Sequence, residues 1–253
     1  MRDPCSVASA AGRVVCAVAG AEATWVARGG SLSQRALKCV VACARYAHAG
    51  LSEHALSTLP GLAAVPADRW ELGWRDSFFE AVWEPALQRA TLHAMDLDDT
   101  ESMREGVMSE VVASCHQVLG ARVEETIVYR LRTTPPGLAA SHSHQSQAHN
   151  PTWQFVEVGV FALRALFSSP HCSPELKERL GCAARDVVSA ATAWAQSSNQ
   201  DMNLFFASVL RTMEALADGV VRDPTLIHPA VRICYGAGAL PEVDSYAADA
   251  LRA

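Results

Sequence analysis

His142, His144 and His149 form the one cluster in this sequence with the look of a metal site. An HxH pair can hold zinc or copper, but a structural zinc wants four well-placed ligands. No cysteine lies within the same stretch, TTPPGLAASHSHQSQAHNP at residues 133–151. Its Pro-, Ser-, His- and Gln-rich composition offers almost nothing to bury, so it reads as a flexible surface loop and no bound metal is expected. His171 and Cys172 sit side by side at a helix–helix turn, and adjacency along the chain does not aim a base at a thiol. Glu124-Glu125 and Asp98-Asp99 are sequence neighbours rather than facing carboxylates, which suits solvent better than acid–base work. The sequence contains no GxSxG elbow, phosphate-binding loop, GxGxxG or HExxH. No catalytic residue, cofactor or enzymatic activity is therefore expected, the lesser alternative being an all-helical enzyme whose site carries none of these motifs.

Two other groups could act by binding. Asp96, Asp98, Asp99 and Glu101 form an acidic run that is a solvated connection or, functionally, an electrostatic dock for a basic partner. Trp25, Trp70, Trp74, Trp83, Trp153 and Trp194 all lie on or beside helical patterns, where aromatic residues are expected to pack in a core.

The elements that must position these residues read as helices. Apolar residues recur at steps of three and four in Val111, Val112, Cys115, Val118, Leu119, and again in Phe155, Val158, Ala162, Ala165, Leu166. Ala184, Val187, Val188, Ala191, Ala195 and Met202, Phe206, Val209, Met213, Leu216 repeat the pattern. Strand-like alternation is nearly absent; residues 125–131 come closest and read equally well as a short helix. The expected class is all-α. A first helix spans about residues 6–27, then Gly29-Gly30-Ser31, then a second over about 32–48 that Ser31 can cap. A looser stretch holds Pro60, Gly61 and Pro66. The helix starting near Arg75 turns Phe78, Phe79, Val82, Trp83, Ala86, Leu87 and Ala90 inward, and Pro85 is expected to kink or split it. Further helices are expected at 152–167, 174–196, 200–218 and 224–235, with one more short helix after Gly236. Successive helices with short connections predict antiparallel pairs, as in an α-solenoid or a bundle. The expected organisation is a single helical-repeat region, 1–253, with a first set of helices to about 132, the loop 133–151, and a second set over 152–253.

Composition narrows the class of function. The 253 residues are 50% hydrophobic and 19% charged, with Lys+Arg 21 against Asp+Glu 27. A net charge of -6 argues against direct nucleic-acid binding, which draws its affinity from clustered cations. No apolar run approaches the roughly 20 residues of a bilayer span, so no membrane insertion is expected. Near the N-terminus, Asp3-Pro4 and Arg13 interrupt the pattern of a signal peptide. The eight cysteines include no CxxC pair, and most lie in apolar helical stretches, which fits a reducing intracellular compartment.

The stretch PTWQFVEVGVFALRAL, with Trp153, Glu157, Phe161, Ala162 and Ala165, resembles a helix of the importin-β (karyopherin) superfamily. The likeness is greatest to the branch containing transportin-SR and importin-13. Downstream, AARDVVSAATAWAQSSNQDMNLFFASVLRTMEAL is similar to the next pair of HEAT helices, with Arg185, Trp194, Leu204 and Leu210 at pattern positions. Upstream, FFEAVWEPALQRATLHA, an acidic stretch and SMREGVMSEVVASCHQVLG keep the family's order, and Arg104 stands where the branch has an arginine. The resemblance covers about residues 78–216, with a vaguer echo over 6–48. The loop 133–151 is longer than the family's, and Pro229 and Gly236-Ala237-Gly238 depart from its alanine-rich helix. The resemblance implies an α-solenoid of HEAT-like pairs that binds protein cargo, including basic nuclear proteins, for transport between cytoplasm and nucleus. It implies Ran GTPase and nuclear pore proteins as further partners. It also implies that this chain corresponds to the middle of a longer solenoid, as a fragment or a truncated form, with apolar surface exposed at one or both ends.

Overall fold

Glycine, proline and the apolar three-and-four spacing set the helix boundaries in the computed structural model, which describes residues 4–91, 102–133, 152–170, 172–195, 203–237 and 250–251. Every regular element among the described residues is helical. The chain is all-α, with successive helices packed against one another in the manner of a helical repeat. It divides into two compact units, Met1–Val123 and Glu124–Ala253.

The first unit holds α1 (Pro4–Ala21), α2 (Ala23–Ala27), α3 (Ser31–Ala44), α4 (Ala49–Leu56), α5 (Leu59–Ala63), a 3-10 turn (Ala67–Arg69) and α6 (Trp74–Arg89). A π-helical segment, Arg104–Met108, then leads into α7 (Ser109–Leu119). Gly12 of α1 lies against Cys43 of α3 and Leu51 of α4, while Gly20 lies against Thr58. The advance from Leu51 to Thr58 along Gly12 to Gly20 makes α4 run parallel to α1. Near the other end of α3, Ser33 Oγ donates to the Trp25 carbonyl at 3.4 Å, so α3 returns antiparallel between them. Phe78, Phe79, Val82, Trp83, Ala86, Leu87 and Ala90 are all buried, as the spacing predicts. Trp70 stacks on Phe78 with ring centroids 6.3 Å apart and meets Phe79 edge-on at 6.5 Å.

Several expectations for this unit are corrected. The helix expected over 6–27 breaks at Glu22, and the one expected over 32–48 ends at Ala44. Ser31 does not cap α3. It is the first helical residue, behind Gly30 at φ 101, a left-handed conformation that glycine adopts without steric cost. The stretch around Pro60 is helical rather than loose, because Pro60 falls in the first turn of α5, where its missing amide has no partner to lose. Pro85 does not split α6, which is one element. The carbonyl that Pro85 leaves without a helical donor, Ala81 O, accepts from Arg45 Nη2 at 3.3 Å. Among the tryptophans, Trp70, Trp83, Trp153 and Trp194 are buried, but Trp25 is 40% exposed and Trp74 is half-buried. Helix α2 buries Ala23, Val26 and Ala27 instead, and Trp25 points off that face. On α1, Val7, Val14 and Val18 are exposed.

In the second unit, α8 (Ala121–Leu131, its first turn shared with the first unit) precedes α9 (Trp153–Ser168), α10 (Pro174–Gly181) and α11 (Ala183–Ala195). After them come α12 (Asn203–Ala215), α13 (Ala217–Arg222) and α14 (Pro224–Ala237). The ambiguous residues 125–131 are therefore helical. The helix expected over 174–196 is two, divided at Cys182, and that expected over 200–218 ends at Ala215 before α13. The tail expected to be helical after Gly236 lies largely outside the described residues, as does nearly all of 133–151.

Helix α9 is the core of this unit. From Val156 to Leu163 every residue is buried, which is the signature of an internal helix rather than a half-wetted one. Gly159 admits α8 closely: a Cβ there would lie 2.9 Å from Arg130 Cβ and 3.5 Å from the Ile127 carbonyl. Arg130 Nη1 donates to the Phe155 carbonyl at 3.4 Å, and its guanidinium sits 4.1 Å from the Phe155 ring centroid. On another side α9 packs against α12, where the Thr212 hydroxyl donates to the Ser208 carbonyl at 2.8 Å and approaches Val160 O at 3.4 Å.

Candidate functional site

The second unit carries an open cleft of 860 Å³ walled by residues from α9, α10, α11 and α14 and by Arg132 beyond the end of α8. Three cations, Arg132, Lys177 and Arg185, face three carboxylates, Glu178, Asp186 and Asp223. Phe167, Pro174 and Leu226 add apolar wall, and Cys182 presents an exposed thiol.

Helix starts place most of these groups. Ser173 caps α10, its Oγ accepting from the Leu176 amide at 3.2 Å, and Pro174 opens the helix with φ already suited to it. That fixes Lys177, whose ammonium lies 5.9 Å from the Phe167 ring centroid. Asp186 occupies the first turn of α11, where a carboxylate suits the positive end of the helix dipole. Arg132 grips it with both arms of its fork, Nε to Oδ1 at 3.1 Å and Nη2 to Oδ2 at 3.3 Å. Asp223 precedes Pro224 at the start of α14, and its Oδ1 accepts from the Thr225 amide at 3.1 Å and the Thr225 hydroxyl at 2.6 Å. Its Oδ2 accepts from Arg185 Nη2 at 2.5 Å. The Thr225 hydroxyl and the Arg185 guanidinium together hold the Asp223 carboxyl below its ordinary range, and Arg185 is correspondingly raised.

Two arginines are thus neutralised by partners, while Lys177 has no ion pair among the described residues. The result is a rim with two fixed ion pairs beside an apolar wall of Phe167, Pro174 and Leu226. A rim of this kind can exchange its ion pairs for those of a polar segment. Among the described residues no group of three or more His, Cys, Asp or Glu is arranged to hold a metal ion.

The structure places the residues singled out by sequence in different roles. Asp96, Asp98, Asp99 and Glu101 lie outside the described residues, as do His142, His144, His149 and His171. Trp153, Glu157 and Phe161 are buried along α9, and Trp194 is buried on α11 with its ring centroid 6.4 Å from that of Phe205. Of the resemblance-derived positions, Arg185 alone reaches the cleft. Arg104 is fully buried in the first unit, its Nε donating to the Ala90 carbonyl at 2.6 Å. Sequence reasoning missed Arg132, Lys177, Asp186 and Asp223. The Ser173-Pro174 and Asp223-Pro224 pairs at helix starts were the available signals. Among the described residues no helix is long and apolar enough to cross a membrane.

No protein-family model matches this chain. No curated protein matches it. A solved structure of an engineered protein from a structural genomics consortium is 14% identical, spans 100% of this chain and 93% of its own length, and superposes with a TM-score of 0.45. That likeness is too distant to bear on function.

Proposed function

We propose that the chain is a protein-binding helical-repeat module of the karyopherin type, which holds macromolecular cargo rather than turning over a small substrate. The observation that supports it best is the build of the second unit. Its helices bury their apolar faces on one another and arrange six charged side chains around one open cleft. A stack of helix pairs offers extended surface by repetition, which is what a receptor for varied partners needs. The ordered resemblance over residues 78–216 extends the reading to nuclear transport, with Ran GTPase and nuclear pore proteins as further partners. Cytoplasm and nucleus are then the compartments. In this reading the acidic run at Asp96, Asp98, Asp99 and Glu101 steers basic cargo, an attraction that weakens with salt.

The direct experiment is a pull-down from nuclear extract on the immobilised chain at low and high salt, with and without Ran loaded with GTP. Enrichment of basic nuclear proteins that Ran-GTP displaces supports the transport reading. Binding indifferent to Ran-GTP would point instead to a helical-repeat scaffold unconnected with transport. If nothing binds at low salt, and charge reversal at the four acidic positions changes nothing, the proposal fails.

A further inference from the structure

Away from the cleft, three thiols converge on the seam between α1 and α3. Cys39 and Cys43 lie four residues apart on one face of α3, with their Sγ atoms 3.9 Å from each other. Cys16, one helical turn beyond Gly12 on α1, is fully buried on the same side of that helix. Cys16 and Cys43 are buried, and Cys39 is half-buried, so the group has one side open toward solvent. The opposing helix is shaped to admit it: Gly12 faces the Cys43 sulfur, and a Cβ at that position would lie 2.9 Å from it.

We propose that Cys39 and Cys43 form a two-thiolate site for a soft divalent cation, zinc or one of its heavier congeners. Thiolate sulfur binds such ions at about 2.3 Å, and one ion at that distance from both sulfurs spans the observed 3.9 Å with an open, near-tetrahedral angle. Each thiol releases its proton to solvent as its metal–sulfur bond forms, so two protons leave for each ion bound. Charge selects the class of ion. Two thiolates and a divalent cation are neutral together, whereas a monovalent ion would leave a net negative charge in a largely apolar seam. By the same argument Cys16 stays a protonated neighbour rather than a third ligand. Water on the exposed side of Cys39 completes the coordination.

The test is titration of the reduced full chain with Cd²⁺, read by the ultraviolet sulfur-to-cadmium charge-transfer band. The band should saturate at one equivalent and persist in Cys16→Ser and Cys182→Ser. Cys39→Ser and Cys43→Ser should weaken binding more than about 100-fold while leaving the helical circular dichroism intact. In the unaltered chain, mass-spectrometric mapping of alkylation should show Cys39 protected by Cd²⁺ and Cys182 still reactive. That measurement stands even if a serine variant fails to fold. Absence of the band, its survival in Cys39→Ser, its loss in Cys16→Ser, or unprotected Cys39 would each overturn the assignment.

Discussion

Arg45 donates a hydrogen bond at 3.3 Å to the carbonyl of Ala81, the same carbonyl that Pro85 leaves without an amide donor four residues on. A proline this far inside a helix ordinarily removes one rung of the ladder and crowds the preceding turn. Here a side chain from the end of α3 replaces the rung, and α6 continues to Arg89 with Phe78, Phe79, Val82 and Trp83 on one buried face. A carbonyl of one helix is thus satisfied by the arginine that caps another.

Arg45→Ala should therefore destabilise the first unit by about 1 kcal/mol, the net value of one hydrogen bond. In a Pro85→Ala background, where the restored amide satisfies Ala81, the same change should cost close to nothing. Urea unfolding of the four proteins in a double-mutant cycle measures the coupling, and strict additivity would contradict the explanation.

Arg104 should be far less replaceable. It has no exposed surface, its Nε donates to Ala90 O, and its own carbonyl accepts from the Ser109 hydroxyl at 2.7 Å. Arg104→Ala should cost about 3 kcal/mol or more, combining lost packing with unsatisfied buried groups. Arg104→Lys should recover little, because an ammonium cannot reproduce the planar fork. Thermal and denaturant unfolding of both variants would decide it.

Trp153→Ala should cost about 3–5 kcal/mol, as truncation of a buried indole usually does. Trp153 is 5% exposed at the first turn of the helix that forms the core of the second unit. Unchanged stability together with lost partner binding would reassign Trp153 to a contact role.

Gly159→Ala should destabilise the second unit although alanine is the better helix former, because the new Cβ meets Arg130 Cβ at 2.9 Å. A penalty of about 1–3 kcal/mol is the expected scale for overpacking at such a contact. A gain in stability would mean that α8 and α9 do not approach so closely.

Asp223 sets a pH dependence of known sign. Its folded-state carboxyl is held below its ordinary 3.8 by Thr225 and Arg185, so the stability it contributes is present above that value. The contribution is lost as pH falls through the lowered folded-state value. Melting temperatures of the unaltered chain and Asp223→Asn should differ above pH 3.8 and converge in acid, with a small gap because Arg185 is solvent-exposed. Curves that stay parallel into acid would show that the carboxylate is not favoured by folding.

Helical class was legible because it is a local property: apolar side chains at steps of three and four share a face whatever lies opposite. The buried stripe of α6 and the burial of Val111, Val112 and Cys115 follow from that spacing. Helix ends were less legible. The break at Glu22 has no proline or glycine beside it, and at Cys182 the only marker is Gly181, while the periodic pattern runs straight through both. Position along the chain likewise could not tell that Trp25 would face solvent while Trp194 was buried.

The sequence by itself determined that this chain would be helices with apolar stripes, since periodicity and capping act within a few residues. Only the tertiary structure decided which stripes meet and which polar groups are brought together. Arg185 reaches Asp223 across 38 residues and Arg132 reaches Asp186 across 54, pairings that no local pattern encodes. Burial of Arg104, all-round burial of α9 and the approach of Gly12 to Cys43 belong to the same class. Each depends on how one helix lies against another, and that is settled by packing and excluded volume over the whole unit rather than by the residues of any one helix.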